Sequence, residues 1–185
     1  MVATPALRLA TDADADQISR LMRVSILDLF PAFYDELQTA SAAVHVGHLD
    51  RQLIEDRTYF VHDIGGEVVA CGGWSRRAKL YTGSEAAGGD ARVIDPRSEA
   101  ARIRAMFVRA DWTRRGLGRA ILTACEDAAR HEGFSELTLV ATLPGVPLYR
   151  SFGFRDVREV VVTMPDGVPL PCLAMDRPVT AVAPR

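Results

Sequence analysis

The chain has 185 residues, of which 48% are hydrophobic and 25% are charged, so it is long enough for one domain with a substantial core. Its formal net charge of −2 provides no overall attraction to nucleic acid or to an anionic membrane, and neither partner is expected. No apolar run approaches the roughly 18 residues of a membrane span, and the N-terminus lacks a signal-peptide pattern, so the sequence predicts a cytoplasmic protein.

The first part of the chain predicts a strand followed by two helices. Residues 6–10 are a strand candidate, and Thr11 is placed to cap the helix that follows, with acidic residues in its first turn. Pro31 ends that helix, and a second helix is predicted over residues 41–56. The first helix carries one apolar stripe at helical spacing, made of Ile18, Leu21, Met22, Ser25, Ile26 and Leu29.

A hairpin and a long loop come next. Residues 58–64 and 68–74 are rich in β-forming residues and flank a Gly65-Gly66 turn, which is the composition and loop length of a β-hairpin. Residues 75–100 are the least regular part of the chain, and a loop of this length is usually either functional or disordered. Four side chains could line an acceptor site or could equally belong to a hairpin end and an ordinary loop: Trp74, Arg76, Arg77 and Tyr81.

The second half alternates strands with helices. The helix after residue 108 is a crossover, so the strands around it are expected to be parallel, whereas the hairpins give antiparallel neighbours. The order β-α-α-β-β-β-α-β-α-β-β is that of an α/β (α+β) fold with a mixed central sheet and helices on both faces. One domain is expected over residues 1–178, with a frayed tail at 179–185. The elements of this half are strands 101–108, 136–142, 157–164 and 170–175, and helices 117–130 and 147–152.

The turn between strand 101–108 and helix 117–130 predicts a phosphate site. Gly116 and Gly118 let the backbone approach a ligand closely, and the N–H groups of residues 114–119 can converge on phosphate oxygens at the positive end of the helix dipole. Arginines give the surroundings a local charge of about +5 over eighteen residues. They are Arg102, Arg104, Arg109, Arg114, Arg115 and Arg119.

Other interpretations of this turn stay open. A Walker loop requires a Gly-Lys-Ser/Thr ending that is absent, and a Rossmann turn requires a third glycine where the chain has Ile121. The arginines could form only a solvated surface, and the glycines could mark a structural helix start. The spacing of Gly116 and Gly118 favours a diphosphate, and it suits coenzyme A better than a nucleotide loop.

A second segment presents an aromatic hydroxyl after the strand 136–142. Its short helix ends at Gly153 and puts Tyr149 and Phe152 about one turn apart on one face. A phenol with a pKa near 10 can transfer a proton to a departing thiolate of similar basicity. Taken alone, Tyr149 would be interpreted as the edge of the core.

The cysteines and histidines predict no metal site. Cys71, Cys125 and Cys172 are far apart and lack the paired spacing of a disulfide framework or a zinc site. Packing is a better interpretation of Cys71 and Cys125 than nucleophilic catalysis. His45 and His48 stand one helical turn apart, but no third ligand has a suitable spacing.

Together, residues 103–119 and 148–154 resemble the GCN5-related N-acetyltransferases (GNAT). The first segment is similar to the family's fourth strand, phosphate turn and third helix, and the second is similar to its "LYRxxGF" segment. The element order agrees over nearly the whole chain. The resemblance implies the GNAT fold and an enzyme that moves an acetyl group from acetyl-CoA to an amine by direct attack in a ternary complex, without a metal.

The resemblance also implies roles for individual residues. Tyr149 would protonate the leaving thiolate. Many members use a glutamate on or near the fourth strand as the base; that strand carries no acid here, so Glu99, just before it, is the candidate. Thr113 departs from the family's pattern, which prefers Gln or Arg at this position. The expected cofactor-binding residues are Met106, Phe107 and Val108 beside the pantetheine arm, and Arg114, Arg115, Gly116, Leu117, Gly118 and Arg119 around the pyrophosphate.

The acceptor is expected to be a small-molecule amine, bound near Trp74 and Tyr81, although loops that vary on a fixed scaffold prevent the fold from naming it. The alternative function is a non-catalytic acyl-CoA-binding sensor or regulatory module, which would need no acid or base. A different acyl donor, such as succinyl-CoA, would keep the reaction class. The sequence leaves the oligomeric state open, a homodimer included.

Overall fold

The computed structural model describes residues 5–81 and 91–180 of the chain. They form a seven-stranded sheet in the order β1-β2-β3-β4-β5-β7-β6, in which β4 and β5 are parallel and the other neighbours are antiparallel. The predicted mixed sheet is confirmed. The strands are β1 (Ala6–Leu9), β2 (Tyr59–Ile64), β3 (Glu67–Ser75), β4 (Ala101–Val108), β5 (Glu136–Thr142), β6 (Arg155–Thr163) and β7 (Pro169–Pro178); the α-helices are α1 (Ala15–Leu29), α2 (Glu36–His45), α3 (Gln52–Glu55), α4 (Leu117–His131) and α5 (Val146–Phe152).

Helices cover both faces of the sheet, as the sequence predicted. Neighbouring residues of β3 point to opposite faces, so that Val68 packs in one cluster with Ile18 and Met22 of α1, whereas Val69 packs in another with Ile121 and Leu122 of α4. The apolar stripe of α1 is buried against one face of the sheet, and that of α4 is buried against the other.

A network around Arg8 fixes the start of α1. A 3₁₀ turn, Asp12–Asp14, separates Thr11 from the helix, and the Thr11 N–H donates to Asp14 Oδ2 at 2.8 Å. Arg8 donates two hydrogen bonds of 2.8 Å to the Asp14 carboxylate and one of 3.0 Å to Asp63 of β2. These bonds tie β1, β2 and α1 together, and the Arg8 guanidinium lowers the pKa of Asp14 to about 2.

The prediction of one helix over residues 41–56 was wrong. The chain instead forms α2, which begins at Glu36 and ends at His45, and the short α3. Asp35 and Gln38 form a capping box at the start of α2, with reciprocal hydrogen bonds of 2.8 and 3.1 Å, and this Asp-x-x-Gln signal was missed in the sequence. A Cβ at Gly47 would lie 2.7 Å from a carbonyl oxygen of α2, so the chain turns there by close backbone contact.

The parallel strands β4 and β5 part soon after they begin. In the described chain they pair only at Ala101–Leu137 and Arg102–Thr138, although both strands continue for several residues. Inside β4, Ala105 has φ 51°, a strained left-handed conformation for a non-glycine residue. The separation leaves one edge of β4 without a strand neighbour.

The ends of two predicted segments fall partly outside the described ranges. Val179 and Thr180, the first residues of the predicted tail, donate backbone hydrogen bonds to Ser135 O (2.8 Å) and Glu126 Oε1 (2.7 Å). Residues 181–185 of the tail and 82–90 of the predicted long loop lie outside the description. Across the described ranges, no helix is long and apolar enough to cross a membrane.

Candidate active site

The glycine turn lies at the start of α4. Gly116 adopts φ 82°, a left-handed conformation that favours glycine, although a Cβ there would meet no atom within 4 Å. Gly118 is needed for space instead, since a Cβ would lie 2.8 Å from Leu148 Cδ2 of α5. The two glycines therefore shape the turn and let α5 pack against α4.

The backbone amides of this turn are available to a ligand. The first amide of α4 with a backbone partner is that of Ala120, which donates to the Gly116 carbonyl at 3.0 Å. Within the described residues, the N–H groups of 114–119 meet no protein acceptor, and they lie at the positive end of the helix dipole. This set of donors is suited to an anion.

The arginines near the turn differ in their surroundings. Arg114 and Arg119 line the cleft beside the turn. Arg115 does not; its guanidinium lies over the Trp112 ring at 4.4 Å. Arg109 forms ion pairs with two carboxylates, so its charge is largely compensated. The positive charge at the turn is therefore smaller than the residue count suggested.

A cleft of about 510 Å³ runs from the glycine turn to α5, along the edge of β4 that β5 leaves open. Thr113 also lies in its wall, but its hydroxyl donates to the Ala110 carbonyl at 2.8 Å, within the turn. Every predicted cofactor-binding residue except Arg115 lines this cleft: Met106, Phe107, Val108, Arg114, Gly116, Leu117, Gly118 and Arg119.

A small cavity of about 100 Å³ adjoins the cleft between β4 and β5. Its lining residues are mostly apolar, and Arg104 and Tyr81 are also among them. The small cavity and the cleft share Met106, Phe107, Thr142 and Tyr149, so they meet between the two separating strands. Its apolar lining comprises Val46, Leu80, Ile103, Ala105, Leu139, Val140, Val162 and Leu170.

Tyr149 stands where the two spaces meet. Its side chain is buried, its ring lies edge-on to Phe154 at 5.7 Å, and no described residue forms a hydrogen bond with its hydroxyl. Burial, with a smaller effect of Cys125, raises the pKa of the Tyr149 hydroxyl above its usual value. The phenol therefore keeps its proton near neutral pH.

Gly145 positions the Tyr149 ring, and the sequence analysis missed it. A Cβ at Gly145 would lie 2.9 Å from Tyr149 Cε2, although the backbone of Gly145 has an ordinary φ of −81°. The available signal was the Pro144-Gly145 pair, which marks a turn before a helix.

Ser25 is a second residue that the sequence analysis did not assign to the site. It lies in the apolar stripe of α1, lines the cleft, and donates from Oγ to the Val108 carbonyl at 2.9 Å. A polar side chain at a buried position of an amphipathic helix was the signal for such a contact.

The structure does not bring Glu99 to the cleft or to the small cavity. Glu99 precedes the end of β4 that pairs with β5 and accepts hydrogen bonds from Arg92 (2.8 and 2.9 Å) and from the Asp95 amide (3.1 Å). These contacts lower the pKa of Glu99 to about 2, which makes it a weak base. The expectation for Glu99 rested on chain proximity, whereas the site forms at the other end of the strand.

Tyr81 and Trp74, the two aromatic residues predicted to lie near the acceptor, occupy different places in the structure. Tyr81 lines the small cavity. Trp74 is 1% exposed and packs edge-on to Phe134 at 5.9 Å in the core beneath α4, so it does not face either space. Arg76 is paired with Glu132 and Arg77 with Asp56, and neither arginine lines the cleft or the small cavity.

A family model described as "Acetyltransferase (GNAT) family" matches residues 23–154, which include β4, the glycine turn and α5. No curated protein sequence matches the chain. Among described residues, no three His, Cys, Asp or Glu side chains are grouped to hold a metal ion.

Solved structures share the fold at low sequence identity. A GCN5-related N-acetyltransferase from Rhodopseudomonas palustris is 20% identical with a TM-score of 0.72, covering 96% of this chain and 98% of that one. PaiA N-acetyltransferase from Thermoplasma acidophilum, solved with coenzyme A, is 12% identical with a TM-score of 0.65, covering 95% and 99%. YncA from Salmonella typhimurium, a putative acetyltransferase solved with acetyl-CoA, is 18% identical with a TM-score of 0.61, covering 99% and 98%.

Proposed function

The chain belongs to the GNAT acetyltransferase family, and from that premise we propose that it transfers an acetyl group from acetyl-CoA to the nitrogen of a small amine. The observation that carries this proposal is the meeting of two spaces at Tyr149. One space has free backbone donors for a diphosphate, and the other is a small, mostly apolar cavity that adjoins it.

The cleft is proposed to hold the cofactor. The amides of residues 114–119 would bind the pyrophosphate, with Arg114 and Arg119 adding positive charge. The open edge of β4 at Met106–Val108 would hydrogen-bond the pantetheine arm as a strand would. Support comes also from PaiA and YncA, which were solved with coenzyme A and acetyl-CoA respectively.

Tyr149 is proposed as the acid of the reaction. The amine nitrogen would attack the thioester carbonyl, and the C–S bond would break as the Tyr149 hydroxyl protonates the leaving thiolate. The proton that the nitrogen loses as the amide forms would restore the Tyr149 hydroxyl. A phenol whose pKa burial raises is reliably protonated before this step. Alignment of the two reactants at the junction of the two spaces would supply much of the rate.

The acceptor is proposed to enter as the free amine. The described linings of both spaces contain no carboxylate, and the apolar wall of the small cavity disfavours an ammonium ion. Glu99 lies elsewhere, so the proton is expected to leave the amine before binding. The value of kcat/KM should then rise with pH toward the pKa of the amine.

An acceptor screen tests the proposed function. Free thiol released from acetyl-CoA is followed with a panel of amines, and calorimetry measures coenzyme A binding to the same protein. We expect both binding and amine-dependent thiol release. Binding without thiol release would favour the non-catalytic acyl-CoA sensor, and no binding would contradict both functions.

A further inference from the structure

The small cavity differs in composition between its junction with the cleft and its remaining wall. Thr142 and Tyr149, which carry hydroxyl groups, lie where the small cavity meets the cleft. Away from that junction, the described lining residues are aliphatic apart from Tyr81, Arg104 and Cys172. An apolar group in this cavity would therefore meet mostly apolar neighbours, while a polar group attached to it could lie at the junction.

Arg104 is the charged residue of this lining, and its described hydrogen bonds run to residues of a neighbouring space. Nη2 donates to the Asp50 carboxylate at 3.2 Å, and Nη1 donates to the Lys79 carbonyl at 3.3 Å. Asp50 and Lys79 line that neighbouring space, of about 180 Å³, and do not line the small cavity. The carboxylate of Asp50 therefore supplies the negative charge that a buried cation requires, and Arg104 does not call for an anionic ligand.

The volume of the small cavity limits the size of an apolar group that it can hold. The small cavity measures about 100 Å³, whereas an apolar protein cavity of about 150 Å³ binds benzene, which has six carbons. By this comparison, the small cavity has room for roughly four carbons. Each methylene that enters it is expected to strengthen binding about three- to fourfold.

We infer that the acceptor is an amine whose substituent is an uncharged alkyl group of about four carbons, and that the small cavity binds this group. The inference rests on the proposed acetyl transfer, because it names the class of acceptor for that reaction. With the alkyl group in the small cavity, the amine nitrogen would lie at the junction with the cleft. Tyr149 and the thioester of the bound cofactor would meet it there.

A series of straight-chain amines, from ethylamine to octylamine, tests the inference on the wild-type protein. Thiol release from acetyl-CoA gives kcat/KM for each amine, and the series has nearly uniform basicity, so equal fractions are unprotonated at one pH. We expect kcat/KM to rise about three- to fourfold with each methylene as far as butylamine or pentylamine. It should fall for longer chains, because these exceed the space available.

An ether separates the polarity of the chain from its length. 2-Methoxyethylamine matches butylamine in length, with an oxygen in place of one methylene. Burying that oxygen without a hydrogen-bond donor is unfavourable, so its kcat/KM, compared per fraction of unprotonated amine, should be about tenfold lower or more.

Variants of Val140 assign the preference to the small cavity. Val140 lines the small cavity and not the cleft, so its substitution should change the preferred chain length while the affinity for coenzyme A stays close to wild type. Val140→Ala enlarges the space and should move the preference to a chain about one or two carbons longer. Val140→Leu reduces the space and should move it to a chain about one carbon shorter.

Val61→Ala is the matched control. Val61 lies on β2, packs in the cluster that contains Ile18 and Met22 of α1, and lines neither the small cavity nor the cleft. The same substitution at this position should leave the preferred chain length unchanged.

Each outcome decides a different point. A value of kcat/KM that is independent of chain length, that keeps rising as far as octylamine, or that is equal for butylamine and its ether overturns the alkyl inference and leaves acetyl transfer intact. An unchanged preference in both folded Val140 variants overturns the assignment to the small cavity. No thiol release with any amine contradicts the proposed function, and the alkyl inference with it. If circular dichroism shows that Val140→Ala is unfolded, the wild-type series and Val140→Leu still decide.

Discussion

At the scale of single residues, the proposed mechanism depends on one phenol, Tyr149, and on Gly145, which makes room for its ring. Tyr149 is buried at the junction of the cleft and the small cavity, with its hydroxyl directed at no described protein partner. A hydroxyl that lines both spaces and meets no described partner is available to a bound ligand, so it is expected to have a role in binding or chemistry.

Replacing Tyr149 with phenylalanine tests the proposed acid. We expect kcat to fall by about 100-fold or more, because general acid catalysis typically contributes that much, while the affinity for coenzyme A stays close to wild type. Thiol-release kinetics and calorimetry measure the two quantities. Unchanged turnover in the folded variant would remove Tyr149 from the mechanism.

Gly145→Ala tests whether the position of the phenol matters. The added Cβ would press on the Tyr149 ring at 2.9 Å without straining the backbone, so kcat should fall about tenfold through misalignment. The same substitution made in Tyr149→Phe should cost much less, because the two changes act on one group. Equal losses in both backgrounds would show that Gly145 acts independently of the hydroxyl.

At the scale of elements, the candidate site forms where β4 and β5 separate, and contacts from neighbouring elements hold β4 in place. The open edge of β4 begins after the two residue pairs that join it to β5, and the Tyr59 hydroxyl donates to the carbonyl of the strained Ala105 at 2.6 Å. The Ser25 bond to Val108 joins α1 to the same strand. These contacts hold β4 in the shape that both spaces use.

The ion pair that begins α1 gives a prediction about pH. The pKa of Asp14 is about 2 in the folded chain against an ordinary value of 3.8, so its contribution to stability is complete above about pH 5 and is lost as the pH falls toward 2. Asp14→Asn should lower the free energy of unfolding at pH 7 by roughly 1 to 2 kcal/mol, allowing for the partial exposure of Arg8.

Urea unfolding of wild type and Asp14→Asn at several pH values measures this effect, and the difference between them should shrink below pH 4. Asp16→Asn is the matched control, because Asp16 is an exposed aspartate in the first turn of the same helix. Its effect should stay within about 0.5 kcal/mol. A pH-independent difference for Asp14→Asn would rule out the ion pair as the cause.

At the scale of the whole molecule, coenzyme A is expected to contact several segments that lie far apart in the sequence. The cleft is walled by α1, β4, the glycine turn and α5, which belong to different regions of the chain. A ligand that contacts all of them binds the folded state and not the unfolded one.

Coenzyme A should therefore stabilise the protein against unfolding. At a free concentration near 100 times Kd, the expected gain is about 2.7 kcal/mol, seen as a higher midpoint in thermal or urea unfolding. Pantetheine, which lacks the diphosphate, should give a much smaller shift at the same concentration. Equal shifts from the two ligands would argue against the amides of residues 114–119 as the diphosphate site.

Local patterns in the sequence determined most of the fold and pointed to the residues that line the cleft. The strands 101–108 and 136–142 were predicted with the bounds that β4 and β5 have, because β-forming runs bounded by turn residues depend on few distant contacts. The Gly116 and Gly118 turn was readable because a left-handed position and a close helix contact both demand glycine.

Only the tertiary structure decided the acceptor side, because that side is formed by residues distant in the chain. Whether Glu99 or Arg104 lies beside the small cavity depends on which end of β4 separates from β5, and the strand's own sequence does not encode this. Trp74 likewise follows the alternation of β3 into the core, whereas Tyr81 reaches the small cavity from the following loop. Side-chain direction on a sheet is set by register and pairing, which are properties of the assembled strands.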